Sequence, residues 1–484
     1  MPIQLERLAF VIGIILMFVT IYMLAPMMAD YAAGNDDWKA FAHAFAISGT
    51  LAGLTIMVTR DHWSRTGISL REGFLITAVS WFVIPIAGCL PFYFMDAGPG
   101  FIDAWFESVS GMTTTGSTVL EGLDHKPPGI LLWRSILQWI GGVGIVLMAM
   151  LILPFLRVGG MQIFRTESSD RSEKLLPRDS TLIIQIAAAF VVLTLACMVC
   201  YRLAGMSTFD AVNHALTTIA TGGYSTHDTS LGYFKQPAIH WVATFFMVAA
   251  SLPIVLYIKS SKGHGFAIFR DVQVKGFLKI CVLAIVSVTL YLVLAHKYAP
   301  SDALRIAAFN VVSIISTTGF ALDDFTVWGP ASNGMFLVLM FLGGCTGSTA
   351  GGIKTYRLQA MSQITKRYIN LLFSPNRVII MRYGTHTITN DIVLSILAFV
   401  TAFAGSIVLV MLALTVFGLD ILTAFSGAVT ALANVGPGLG DVIGPSGNFK
   451  SIDDGAKVVL IFAMILGRLE FFAFLVLLAP SFWR

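Results

Sequence analysis

Four short stretches of this chain could strip and hold a monovalent cation without using a carboxylate. They are Ser110-Gly111-Met112-Thr113-Thr114-Thr115-Gly116, Thr217-Thr218-Ile219-Ala220-Thr221-Gly222-Gly223, Ser313-Ile314-Ile315-Ser316-Thr317-Thr318-Gly319 and Thr430-Ala431-Leu432-Ala433-Asn434-Val435-Gly436. Glycine reaches φ > 0 at little steric cost, and its bare Cα lets backbones approach closely. A loop closed by glycine can therefore turn successive carbonyls to one side, and rings of carbonyls can replace the water shell of an ion such as potassium. The candidate ligands are Thr114, Thr115 and Gly116; Thr221, Gly222 and Gly223; Thr317, Thr318 and Gly319; and Asn434, Val435 and Gly436. Their hydroxyls can add oxygens or brace the loop. No carboxylate lies inside the four loops, which disfavours the acidic ring of a divalent-cation filter. A tight extracellular turn would explain one copy cheaply, but not four matched ones.

The elements that position these loops must lie in a membrane. The 484 residues are 56% hydrophobic and only 12% charged, about half the charge of a soluble chain. Ten long apolar segments lie near 8–28, 40–59, 73–95, 130–155, 181–203, 238–258, 278–298, 333–345 with a broken continuation to 358, 391–417 and 456–481. Each glycine loop ends a segment of about a dozen residues set between two of these, too short to span. The simplest element is a re-entrant pore helix followed by an extended loop, tolerated at membrane depth because it faces a water-filled cavity. Each helix should aim its partly negative C-terminal end at the pore. The expected fold is thus all-α: two leading helices (1–68), then four helix–pore helix–loop–helix repeats at 69–178, 179–274, 275–385 and 386–484. Alignment on the glycines supports the repeat. Alanine stands at Ala104, Ala211, Ala307 and Ala424, twelve residues before each glycine.

Basic residues set the orientation. Of the 31 Lys and Arg, 21 fall on one side of a ten-span chain: Arg7, Arg484 and those of the loops 60–71, 157–178, 259–279 and 354–382. The positive-inside rule makes that side cytoplasmic, with both termini inside and all four glycine loops on the outer side. The first apolar run is as long as a full span and is read as a retained helix rather than a signal peptide. Cys197-x-x-Cys200 lies on an apolar segment and is read as packed core thiols. Paired-histidine haem patterns, metal-ligand clusters and nucleophile–base pairs are lacking in the sequence, so no enzymatic activity is expected.

Below the loops, the eighth segment is interrupted by Gly343-Gly344-Cys345-Thr346-Gly347-Ser348-Thr349-Ala350-Gly351-Gly352. Five glycines, at roughly 1 kcal/mol each relative to alanine, should unwind a helix there. The expectation is a mobile gate loop, the alternative a small-residue packing face. Gly347-x-x-x-x-Gly352-Ile353-Lys354-Thr355 nearly matches a phosphate-binding loop, but it carries one extra residue and lacks the preceding strand. Arg468 falls near mid-bilayer in the last segment, where arginine costs about 2.5–3.5 kcal/mol. It is expected to face the pore, touch the gate loop and set a barrier to cations; a buried ion pair is the alternative. Glu107, His214, Asn310 and Gly427 share one position of the repeat and are read as helix-bracing groups. Asp323, Asp324 and Asp441 are read as vestibule charges.

The four loops, the segment Gly343–Lys354 and Gly467-Arg468-Leu469-Glu470 together resemble the Trk/Ktr/HKT superfamily of cation transporters, and most of all its bacterial Trk potassium-uptake subunits. The resemblance runs over the whole chain. It implies potassium uptake in the bacterial inner membrane, with K⁺ as substrate at the filter residues. It also implies a homodimer with one pore per protomer and a cytoplasmic regulatory TrkA-type subunit. A nucleotide of the NAD or ATP type is then expected on that partner, and no covalent cofactor on this chain; besides the lipid bilayer, no nucleic acid is expected as a partner. The family's filter glycines map to Gly116, Gly223, Gly319 and Gly436. The fourth loop departs from the others with Asn434-Val435 and Pro437, which leaves open a less selective K⁺/Na⁺ channel or a cation symporter.

Overall fold

Length and composition decide which helices can cross a bilayer. The computed structural model describes residues 4–62, 69–96, 98–151, 179–263, 267–384, 386–469 and 471–483. Among them the regular elements are α-helices apart from short 3-10 turns, one hairpin, Arg382–Tyr383 with His386–Thr387, and an isolated bridge between Leu342 and Ile353. Seven helical segments are long and apolar enough to span, or eight if a bent pair counts as one. α1 (Leu5–Tyr22) runs on through Met23 into α2 (Leu24–Ala32), and α3 (Trp38–Thr59) packs back on α1.

Four sets of helices follow. The first is α4 (Leu70–Phe94), α5 (Phe101–Met112) and α6 (Pro128–Leu151); the second α7 (Asp179–Leu203), α8 (Thr208–Ile219), α9 (Pro237–Ala250) and α10 (Ile254–Ser261), with a short α11 (Ala267–Arg270). The third is α12 (Val272–His296), α13 (Pro300–Ile315), α14 (Pro330–Phe341) and α15 (Thr355–Phe373); the fourth α16 (Asn390–Val416), α17 (Ile421–Ala433), α18 (Asp454–Arg468) and α19 (Phe472–Leu478).

The helices α5, α8, α13 and α17 have 12, 12, 16 and 13 residues. At 1.5 Å per residue each covers only part of a ~30 Å hydrocarbon layer. Their starts are encoded locally. Ser207 Oγ accepts from Asp210 N, the Asp420 carboxylate accepts from Leu422 N and Thr423 N, and Pro300 stands first in α13. The repeated alanines Ala104, Ala211, Ala307 and Ala424 are all fully buried.

Three apolar segments are broken, the sixth and tenth expected as single spans and the eighth already expected to be interrupted. In the sixth, α9 and α10 meet at 92° across Ser251-Leu252-Pro253, where proline supplies no amide to continue the helix. The eighth leaves helical geometry between Phe341 and Thr355, at the glycine-rich segment. The tenth stops at Arg468 and restarts at Phe472 after Phe471, whose φ is 58°. Among the described residues only α6 runs unbroken in the equivalent place. The repeat boundary expected at 274/275 falls inside the first turn of α12, which Asp271 caps at Gln273 N and Val274 N. The boundaries at 68 and 178, the basic residues Arg65, Arg157, Arg165, Arg171, Lys174, Arg178 and Arg484, and Glu470 lie outside the described residues.

Candidate ion-conduction site

All four short helices end in the same way. Thr114, Thr221, Thr317 and Asn434 take left-handed backbone, with φ of 52°, 51°, 56° and 54°. Two residues on, Gly116, Gly223, Gly319 and Gly436 have φ of 88°, 76°, 80° and 111°. Between them, the amides of Thr115, Gly222, Thr318 and Val435 reach back five residues to the carbonyls of Ser110, Thr217, Ser313 and Thr430, at 2.9, 2.9, 2.9 and 3.0 Å. This backbone closure satisfies a terminal helix carbonyl. Left-handed threonine is strained and persists only where its surroundings over-determine it.

The four glycines face one another's neighbours. A Cβ on Gly116 would collide with the Gly222 carbonyl oxygen, on Gly223 with that of Thr318, and on Gly319 with that of Val435; on Gly436 it would meet that of Thr115. In each case the oxygen belongs to the residue just before the next glycine. The contacts run from the first loop to the second, third and fourth and back to the first, so the backbone closes a ring that only glycine fits.

Side chains hold the loops in two ways. In the first and third, hydroxyls pair behind the backbone: Thr113 Oγ1 with Thr115 Oγ1 and Ser316 Oγ with Thr318 Oγ1, both at 2.7 Å. The second and fourth have Ala220 with Gly222 and Ala433 with Val435 at those positions and cannot form such a pair. There amides take over. Gln138 Nε2 donates to the Gly222 carbonyl at 2.6 Å while its Oε1 accepts from Tyr224 N at 3.1 Å. Asn434 Nδ2 donates to Thr115 Oγ1 at 2.9 Å and to the Met464 carbonyl at 3.0 Å.

The strand leaving each glycine is also caught. The Glu107 carboxylate accepts from Val119 N, His214 Nε2 bonds Ser225 Oγ at 2.9 Å, and Asn310 Oδ1 accepts from Leu322 N at 3.2 Å. Gly427 has no side chain to do this, and its neighbour Ser426 accepts from Leu439 N instead. Glu107 is fully buried against Arg134 at 2.7 Å. Arg134 also donates to the Ser225 carbonyl and lies 4.0 Å from the Tyr224 ring centroid.

The first and fourth repeats are far apart in sequence yet meet along a seam. Ser117 Oγ donates to the Gly436 carbonyl at 2.9 Å and Phe449 N to the Thr118 carbonyl at 2.8 Å. Lys450 pairs with Glu121 and Lys457 with Asp103, both at 2.6 Å.

A cavity of about 80 Å³ lies on one side of the ring, lined by the four glycines with Ser117, Tyr224 and His227. His227 stacks on Tyr233 at 3.5 Å and pairs with Asp124 at 2.5 Å and Asp210 at 3.5 Å. Burial pushes its pKa down, but the hydrogen bonds to Asp210 and Asp124 outweigh this and hold it above the ordinary value. Asp228 lines this cavity; the expected vestibule charges Asp323, Asp324 and Asp441 do not.

On the other side lies a space of only about 20 Å³ among Gly351, Gly352, Lys354, Asn434, Gly467 and Arg468, room for about one water. The segment Gly343–Gly352 fills this side. Its base is clamped where Gly343 N donates to the Ile353 carbonyl and Thr355 N to the Gly344 carbonyl. Cys345 N donates to the Ser251 carbonyl, Thr346 N to Gln273 Oε1, and Ile254 N to the Gly347 carbonyl, so the segment sits in the corner between α9 and α10. Ser348 Oγ folds back on the Cys345 carbonyl and Lys354 Nζ on that of Ala350. The tip touches three loops. Thr349 Oγ1 reaches the Ile219 carbonyl at 3.1 Å, Gly351 N donates to Thr317 Oγ1 at 2.6 Å, and Gly352 N to the Ala433 carbonyl at 2.8 Å. Arg468, buried at the end of α18, donates from Nη1 to the Thr349 carbonyl at 3.0 Å. The near-match to a phosphate loop follows the helix α14 rather than a strand.

The sequence-derived loop residues and the glycine-rich segment thus meet around one axis, with Arg468 beneath. Sequence reasoning missed Arg134, Gln138 and Tyr224. A signal was there: Arg134 and Gln138 are four apart on one face of an otherwise apolar span, where polar side chains are expensive and turn inward.

Such a helical repeat around a backbone-lined axis defines an integral membrane protein of the ion-transporting class. The model of the TrkH cation transport protein family matches residues 37–484, and the chain belongs to that family. It is 40% identical over 477 residues to the Trk system potassium uptake protein TrkI of Halomonas elongata, covering 98% of this chain and 96% of that one. To TrkH of Vibrio parahaemolyticus it is 36% identical, over 99% of this chain and 100% of the relative. The crystal structure of the potassium transporter TrkH from that organism superposes with a TM-score of 0.92 at 35% identity, covering all of both chains. The superfamily resemblance read from the loops is therefore correct.

Proposed function

We propose that this chain takes up potassium across the bacterial cytoplasmic membrane, through a filter made by the four glycine-closed loops. The reading uses ten spans and four re-entrant loops, both termini cytoplasmic, and the glycine ring open to the outside. The observation that carries it is the closed succession of carbonyl-to-glycine contacts from Gly116 through Gly223 and Gly319 to Gly436. A ring of backbone oxygens without carboxylates suits a monovalent ion. The segment Gly343–Gly352 acts as the gate below the filter, held closed through Thr349 and Arg468, whose positive charge opposes a cation at that depth. Control by a cytoplasmic nucleotide-binding TrkA-type subunit belongs to the same reading and is supported by relatives named as Trk system proteins; the homodimer with one pore per protomer rests on the family resemblance.

The deciding experiment is ion flux in vesicles holding the purified chain, comparing K⁺, Rb⁺ and Na⁺, with Gly116→Ser and Gly319→Ser alongside. Flux favouring K⁺ and Rb⁺, with that preference weakened by either substitution, is expected. No monovalent flux from folded protein supplied with its regulatory subunit would sink the reading. Deleting part of Gly347–Gly351 should raise basal flux, and unchanged flux from a folded deletion would remove the gate assignment. A less selective K⁺/Na⁺ pathway is the second reading. It is favoured by the fourth loop, where Asn434 and Val435 replace the threonines of the first and third.

A further inference from the structure

A cavity of about 620 Å³ lies away from the conduction axis, walled by α1, α4, α6 and α7. Phe18, Trp81, Trp139, Gly144, Met148 and Val191 mark its sides, and no charged residue lines it among the described residues. Its size is that of a small-molecule site. Along α4 it extends from Ile76 to Ile84, about 12 Å at 1.5 Å per residue. At its inner end it touches Met112, the last residue of α5 before the first loop.

All four walls are helices long and apolar enough to span a membrane. Phe18 on α1 and Val191 on α7 are half-exposed where they line the cavity. Val192 and Ile184 carry the apolar surface on along α7, 63% and 67% exposed. The mouth is thus continuous with the bilayer-facing surface and opens on hydrocarbon, not water. An apolar void of this size left empty would forfeit dispersion contacts along its whole wall, and water would find few polar partners in it, Ser80 Oγ among them, where it needs two to four. The molecules always present at such a mouth are membrane lipids, and a flexible alkyl chain is the part of them that fits an uncharged slot of this length. Gly144 has space prepared for a guest. A Cβ built there meets no atom within 4 Å, although the residue faces the interior of the helix cluster.

We infer that this cavity binds one acyl chain of a membrane phospholipid, laid between α1, α4, α6 and α7 with its end near Met112. With the topology proposed above, the chain comes from the cytoplasmic leaflet, because Ile76 and Met148 lie toward the cytoplasmic ends of α4 and α6. The site itself does not depend on potassium being the transported ion. Occupancy would press on α6, the helix that carries Gln138, and so couple the lipid to the second filter loop.

The test uses the full chain in vesicles of phospholipid brominated in mid-acyl chain, since bromine quenches nearby indoles. The Trp81 and Trp139 signal is read as the difference from a Trp81→Phe/Trp139→Phe variant. Strong quenching of that signal is expected. Gly144→Leu should plug the slot and lose most of it, while Gly405→Leu, on the exposed face of α16 where a Cβ also meets nothing, keeps it. No quenching of the pair, read against the folded double variant, overturns the inference, whether or not Gly144→Leu folds. Equal quenching in a folded Gly144→Leu protein does the same, and would place the lipid on the outer surface only. Phospholipid retained after detergent exchange, counted by mass spectrometry, should fall in Gly144→Leu alone; retention equal to that of the unaltered chain counts against the site.

Discussion

The first and third glycine-closed loops differ from the second and fourth in how the same backbone is held. All four share left-handed geometry two residues before the glycine and the amide that reaches back five residues. The odd loops carry their own support, a hydroxyl pair two residues apart. The even loops borrow it, the second from Gln138 on α6 and the fourth by sending Asn434 to Thr115 and to α18. The backbone geometry is thus what the four loops hold in common, and the bracing side chains are free to differ. Support from within a loop survives movement of neighbouring helices. Borrowed support ties the loop to them.

Substitutions can break that contrast, and Gln138→Leu should have the largest effect. It leaves the Gly222 carbonyl and the Tyr224 amide buried without their partner, at roughly 1–3 kcal/mol each. We expect the steepest fall in Tm and a weaker preference for K⁺ over Na⁺. Asn434→Ala comes next. It loses both donated bonds and puts a Cβ residue that cannot bond locally into left-handed backbone, at about 1–2 kcal/mol. The fall in Tm should be accompanied by altered basal flux, since Gly352 bonds the adjacent Ala433 carbonyl. Thr318→Val should cost only about 1 kcal/mol, because Ser316 Oγ still has the Ser313 carbonyl. If Thr318→Val proves as damaging as Gln138→Leu, the distinction between intrinsic and borrowed support has no energetic content.

The smallest effect concerns the outer face of the second loop. The raised pKa of His227 means that its pairing with Asp124 and Asp210 is fully present below the ordinary histidine value of 6.5 and is lost as pH climbs through the folded value. The His227 hydrogen bond lowers the pKa of Asp124. Burial raises that of Asp210, but bonds from His227, Ser207 and Thr226 outweigh it and hold it far below the usual range. The carboxylates therefore contribute above about 4 and lose their contribution in stronger acid. Tm should be greatest between about pH 4 and 6.5, and His227→Gln should flatten the fall on the alkaline side. An unchanged alkaline limb would show that the pair adds nothing to the second loop.

What the sequence made legible follows the same division. Repetition exposed the four glycines, the buried alanines and the polar residues beside them, because one steric demand recurs four times. Gln138 and Arg134 each occur once, on a helix that otherwise reads as lipid-facing, so no internal alignment could find them. Their partners are the Gly222 carbonyl and Glu107, and contacts at such separations follow from packing, not spacing. The glycine-rich segment Gly343–Gly352 was visible through its glycines. Its contacts with Ile219, Thr317 and Ala433 were not, because each has on at least one side a backbone group that every residue owns. The break before Pro253 had a proline to announce it, whereas the break at Phe471 had no proline or glycine at the turn, only the charged residues Arg468 and Glu470 before it.

The seam between the first and last repeats also bears on how the protein is made. Loops one to three follow one another along the chain, but the ring closes only when Gly436 reaches Ser117 and the residues from Phe449 to Lys457 dock on the first repeat. A chain still leaving the ribosome at residue 420 has three sides of the ring and no fourth. It cannot close the glycine ring, so an unfinished product, or one truncated before Gly436, lacks the fourth side, and the residues after 420 decide whether the ring exists at all.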